Sequence, residues 1–224
     1  MKRMNLMLLL FALVLGACSS DTVKVRGKVE GLKGTVKLLA EIPGKGVIVL
    51  DEQQVEDGNI NLETDSLTIP ARVWVDVDGK AKVEAILDTK DMIWIKGKIK
   101  FADQIEATGS GLMAEYDEIK ALFKKKFGDE LEELDKKIQK IATREKPKPD
   151  DEVKLGILFM KKTNLQKNRF NFAKNMAIQN PSKEVCLFLI MDELASDEAV
   201  LKDTFKKMKI ENKESNIYKV LDSK

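Results

Sequence analysis

The chain has 224 residues, 43% apolar, 34% charged and 6% aromatic, enough to bury the core of one or two domains. Lys and Arg number 39 against 37 Asp and Glu, a formal net charge of +2, without the marked basic excess of a nucleic-acid-binding chain. The absence of histidine removes His-based triads, metal sites, general bases and pH switches, and two cysteines far apart cannot form a four-ligand zinc site or a Cys-x-x-Cys pair.

Residues 1–17 read as a signal segment. Met1-Lys2-Arg3-Met4 is basic, and Leu6 to Leu15 is a ten-residue apolar run. As a helix that run spans about 15 Å, half a bilayer core, so it suits a signal h-region rather than a permanent anchor. Leu15-Gly16-Ala17-Cys18 then resembles a bacterial lipobox. The resemblance implies acylation of the Cys18 thiol, cleavage before it, and a mature chain tethered to a membrane through residues 18–22. Two or three acyl chains make such a tether durable where one does not. The competing reading is an ordinary secretory peptide cut beside a cysteine. Removal of residues 1–17 takes Lys2 and Arg3 with it and leaves 37 basic and 37 acidic side chains, so no polyanionic partner is implied.

From Val23 to about Ala107, β-branched residues alternate with polar ones. Val23-Lys24-Val25-Arg26-Gly27-Lys28-Val29 and Val73-Trp74-Val75-Asp76-Val77 have the period of half-buried strands. Asp57-Gly58 and Asp78-Gly79 are favoured two-residue hairpin turns, and Gly31 to Gly34 and Pro43-Gly44-Lys45-Gly46 mark further loops. The pattern predicts seven or eight antiparallel strands near 23–30, 34–42, 46–51, 53–57, 59–64, 71–78, 81–87 and 91–99, with a short one at 103–107. Strands at that spacing point to a β-sandwich or partly open barrel over residues 23–110.

After Gly109-Ser110-Gly111 the period changes. Leu112, Tyr116, Ile119, Phe123, Phe127, Leu131, Leu134, Ile138 and Ile141 fall on one stripe of a long helix, with Gly128 a candidate kink. Lys146-Pro147-Lys148-Pro149 opposes helix. Asp150 or Asp151 then caps a second helix running to about Gln179, and Asn180-Pro181-Ser182 breaks it. Val185-Cys186-Leu187-Phe188-Leu189-Ile190-Met191 is apolar on every face, as expected of a buried helix in helical company. Shorter helices are predicted near 197–208 and 214–222. The fold class is therefore α+β, a β domain at 23–110 followed by a helical domain at 111–224.

Several stretches carry a family resemblance: Val25-Arg26-Gly27-Lys28-Val29-Glu30-Gly31, Val55-Glu56-Asp57-Gly58-Asn59-Ile60, Ile93-Trp94-Ile95-Lys96-Gly97, Ile105-Glu106-Ala107-Thr108-Gly109-Ser110, and the helical part around Asn180-Pro181-Ser182. With the lipobox, these resemble lipoproteins of Bacteroidota type carrying domain of unknown function 4369. In many members a thioredoxin-like domain with a Cys-x-x-Cys site follows. This sequence has no such cysteine pair, so the redox role is not carried across.

Few residues suggest chemistry. Cys186 lies in an apolar run and reads as a structural thiol rather than a reactive one. Asp76-Val77-Asp78-Gly79 faintly resembles a calcium loop but lacks the further ligands of an EF-hand, and suits a hairpin turn. Glu132, Glu133 and Asp135, answered by Lys136 and Lys137, read as exposed helix pairs. Lys124-Lys125-Lys126 reads as a solvated helix face, with contact to anionic lipid as the sharper alternative. Trp74 and Trp94 alternate with valine or isoleucine, and at least one of them is expected in the core.

No cofactor, metal or catalytic residue is expected, and Cys18 is the single site residue, for lipidation. The leading expectation is a non-catalytic lipoprotein of the cell envelope, at the outer membrane, that binds or scaffolds a protein partner. The second is an accessory to, or truncated relative of, a periplasmic thioredoxin-like oxidoreductase. A hydrolase with a carboxylate pair hidden in one dimension is third.

Overall fold

A computed structural model describes residues 23–88, 92–146 and 148–224. The signal segment, Cys18 and the linker to residue 22 lie outside the described residues. The described part is α+β, with two open four-stranded sheets followed by helices.

The strands are β1 Val23–Glu30, β2 Gly34–Ile42, β3 Gly46–Val55, β4 Asn59–Thr64, β5 Ala71–Val77, β6 Ala81–Leu87, β7 Met92–Lys98 and β8 Glu106–Thr108. One sheet has the order β4-β1-β7-β8 and the other β3-β2-β5-β6. Period-2 alternation decides what each strand buries. Val25, Ile60, Leu62, Ile93 and Ile95 of the first sheet share one apolar cluster with Val36, Leu38, Val73 and Val75 of the second.

Three expectations are corrected. The sheets are not wholly antiparallel, because β1 and β7 run parallel, Val25 beside Ile93 and Gly27 beside Ile95. Such pairing needs a long crossover, here the whole chain between them, and alternation along a strand carries no sign of it. The approach is close: a Cβ on Gly27 would lie 2.1 Å from the Ile95 carbonyl oxygen. Residues 46–51 and 53–57 do not form two strands. They give the single strand β3, with Leu50 the extra residue of a bulge where the partners of Leu38 and Leu39 skip from Asp51 to Val49. Finally, Asp57-Gly58 does not close a hairpin, since β3 and β4 belong to different sheets. Side chains link that corner: Asp51 Oδ2 accepts from the Glu63 amide at 2.8 Å, and Gln53 Oε1 from the Asn61 amide at 2.7 Å.

Asp78-Gly79 does close the β5–β6 hairpin, both residues at positive φ (55° and 66°), as a primed turn requires. Residues 99–104 are a 3₁₀ segment, so the short strand predicted at 103–107 falls slightly later, at β8.

The helices are α1 Gly111–Phe123, α2 Asp129–Ala142, α3 Asp151–Gln179, α4 Val185–Glu193, α5 Glu198–Lys206 and α6 Asn216–Asp222. The predicted long stripe holds, with Tyr116, Ile119, Phe123, Phe127 and Leu134 buried. Between α1 and α2 the backbone widens into a π segment at Lys124–Gly128, where the Asp129 amide donates to the Lys124 carbonyl. This places Phe123 and Phe127 together against Phe172 of α3, with ring centroids 5.4–6.0 Å apart. Helix α4 is buried from Val185 to Ile190, as its all-apolar sequence demands. Among the described residues no helix is long and apolar enough to cross a membrane.

Candidate functional site

On β5, Val73, Val75 and Val77 point into the core between the sheets, so Arg72, Trp74 and Asp76 point outward. Near Arg72 that outer face is covered by helices, and Arg72 is only 8% exposed. A buried guanidinium requires partners. Both Nη atoms of Arg72 donate to the Asp192 carboxylate at the end of α4, Nη2 to Oδ2 at 3.0 Å, and Nη2 also approaches the Phe188 carbonyl oxygen at 3.4 Å. Nε lies 3.0 Å from Glu84 Oε1 across the strand pair, an ion contact off the hydrogen-bond direction. The guanidinium carbon lies 5.8 Å from the Tyr116 ring centre and 5.6 Å from that of Phe188. The Tyr116 hydroxyl of α1 donates to Asp192 Oδ2.

The electrostatics of this cluster favour a charged Arg72. Burial pulls its pKa down, but the Asp192 hydrogen bond and the negative charges of Glu84 and Asp192 outweigh it, and the net shift is upward. Burial pushes the Glu84 carboxyl up, with Arg72 opposing. Burial and the Asp192 charge drive the Tyr116 phenol upward, so it stays a protonated donor. A second clamp sits one residue on. Arg169 of α3 grips Glu193 through Nε at 2.6 Å and Nη2 at 2.5 Å, its guanidinium 5.7 Å from the Phe123 ring centre. Two adjacent carboxylates at the C-terminal end of α4 thus receive one arginine from the sheet and one from a helix, and the cations also suit that end of the helix dipole. Chemically, the cluster joins sheet, α1 and α4, with each charge answered inside it.

The structure scatters the residues singled out in the sequence. Cys186 is 1% exposed, and burial pushes its thiol up to about 11, as a structural cysteine requires. Asp76 Oδ1 accepts from the Gly79 amide at 2.9 Å, while the Asp78 carboxylate takes Lys80 at 2.7 Å and the Thr35 amide at 3.3 Å, so both serve the turn. Glu132 pairs with Lys136 at 2.6 Å, Glu133 with Lys137 at 3.4 Å, and Asp135 with Lys162 of α3 at 2.5 Å, all exposed or nearly so. Lys124, Lys125 and Lys126 are exposed on the π segment, Lys126 lying over the Phe172 ring at 4.9 Å. Neither tryptophan is in the core, contrary to expectation: Trp94 is 53% exposed, and Trp74 is half-buried beneath Lys82 at 4.7 Å. In both strands it is the flanking Val or Ile residues that take the inner face.

Sequence reasoning missed the Arg72 cluster. Its trace was a lone arginine between Ala71 and Val73 in an otherwise apolar strand end, and Asp192-Glu193 directly after the apolar run Val185 to Met191. Comparison with family models, characterised proteins and solved structures finds no match to this chain.

Proposed function

We propose that this chain is a lipid-anchored protein of the cell envelope, at the outer membrane, acting as a non-catalytic binding or scaffolding module. The observation that carries this reading is the order of its first eighteen residues: basic start, ten apolar residues, then Leu15-Gly16-Ala17-Cys18. Acyl groups on Cys18 would partition into a bilayer. The strand β1 begins five residues later, at Val23, and five extended residues reach at most about 18 Å. A β-sandwich carrying helices would therefore sit close to the lipid surface. The Arg72 cluster supports a scaffolding role, because it holds sheet and helices in one arrangement through charges answered internally. The likeness to lipoproteins with domain of unknown function 4369 points to the same compartment.

Replacing Cys18 by Ser should move the protein from the membrane fraction to the soluble fraction with its unfolding midpoint unchanged. A Cys18→Ser protein that still sediments with membranes contradicts acyl anchoring. Crosslinking in intact envelopes separates the roles: recovery of a thioredoxin-like protein favours the accessory reading, and recovery of another envelope assembly favours the scaffold.

A further inference from the structure

A cleft of about 690 Å³ opens between the end of α5 and α6, within the roughly 300–1,000 Å³ of small-molecule sites. Its floor is apolar. Phe205 and Tyr218 meet at a tilt of 57° with ring centroids 4.9 Å apart and remain half-buried, with Met208 also half-buried and Ile210 and Leu221 buried. The walls are fixed from behind. The Lys209 amide donates to the Pro181 carbonyl at 2.8 Å. The Asn216 amide donates to the Thr68 carbonyl at 2.8 Å and its side-chain amide to the Glu41 carbonyl at 3.0 Å, so α6 is stitched to the sheet.

The charged side chains at the rim are mostly cationic: among the described residues, five lysines and one acidic side chain, Asp222, line the cleft. Elsewhere the helical lysines are commonly matched in sequence, as in Lys136–Glu132, Lys154–Asp150 and Lys207–Asp203. At the rim, Lys202 is paired with Glu198 at 2.6 Å and Lys224 lies 3.9 Å from Glu41. Lys206, Lys209 and Lys213 have no carboxylate within ion-pair distance among the described residues. Lys206, Lys209 and Lys213 line the same cleft as its apolar floor, and an anion lodged there can take ammonium groups that no carboxylate holds in an ion pair. Among the described residues no arginine lines the cleft to offer the planar fork that suits a carboxylate, whereas lysines serve phosphate as point charges. A phosphate monoester, with up to two charges near neutral pH, can satisfy more than one ammonium.

We propose that this cleft binds an organic phosphate carrying a flat or branched apolar body. The body rests on Phe205, Met208 and Tyr218, and the phosphate is held by Lys206, Lys209 and Lys213. This gives a ligand to the binding role proposed above and rests on that reading only in taking the protein as a binder. Anchoring is read separately, by fractionation.

The test is calorimetric titration of the purified full chain at low salt with 1-naphthyl phosphate, 1-naphthol and inorganic phosphate. The expected result is that 1-naphthyl phosphate binds at least tenfold tighter than either of its parts. Combined Lys206→Gln, Lys209→Gln and Lys213→Gln substitution should weaken it at least tenfold with the urea midpoint unchanged. Dihexanoyl phosphatidic acid below its micellar concentration identifies the source. Tighter binding than naphthyl phosphate supports a lipid headgroup as ligand, and weaker binding supports a soluble phosphate ester. Naphthol binding as tightly as its phosphate, full affinity in the triple variant, or no saturable binding of either phosphate overturns the proposal.

Discussion

The joint at Arg72 and the cleft at Tyr218 use the same materials, cations beside aromatic rings, and differ in where the counter-charge comes from. At the joint, Asp192 and Glu84 answer Arg72 from within the chain, and Tyr116 completes the set. At the cleft, Lys206, Lys209 and Lys213 stand at an open rim with Asp222 as the carboxylate among the lining residues. Matched charge under cover fixes one arrangement of sheet and helices. Unmatched charge over an apolar floor leaves interaction free energy for something that is not part of the chain.

That contrast breaks most visibly at Arg72. Arg72→Met keeps the stem's packing but strands two carboxylates that are each about a third exposed, Asp192 at 33% and Glu84 at 34%. The expected loss is about 3 kcal/mol, the low end for splitting a buried pair, because water still reaches the survivors. Urea unfolding measures it as a lower midpoint with unchanged slope. The lysine substitutions at the cleft should stay within about 0.5 kcal/mol of the native chain, as exposed positions usually do. If the two regions lose equal stability, the contrast between them fails.

A smaller effect sharpens the comparison through pH. Burial raises the Glu84 carboxyl above its ordinary 4.5, so the folded state holds that proton more tightly than the unfolded state. Its contribution to stability is then largest when it is protonated and declines as pH rises through and above the ordinary glutamate range. Glu84→Gln removes that dependence. Urea midpoints of the two proteins at pH 4 and pH 7 should show the native chain losing ground to the variant as pH rises, and an opposite drift contradicts the sign.

The sequence made the local structure legible and the pairing illegible, for one physical reason. Alternation in β2, β5 and β6 and the stripe from Leu112 to Ile141 are local periodicities, and the elements appear where those periodicities lie. The parallel β1–β7 pairing joins residues some seventy apart, and the bond between Arg72 and Asp192 spans 120 residues. Neither leaves a periodic mark. The tryptophans show the same limit. Alternation separates the two faces of β5 and β7, but which face is inner depends on the sheet that covers it, and Val73, Val75, Ile93 and Ile95 take that side. The lysines of the cleft look like ordinary solvated residues in one dimension, and only the fold of α5, α6 and the turn between them brings them to one cleft with Phe205 and Tyr218.

Attachment at a lipid boundary is tested most directly by intact-mass analysis of the protein extracted from envelopes. The expected result is a chain beginning at Cys18 that carries the added mass of two or three fatty acyl groups. An unmodified amino terminus on the processed chain would contradict it.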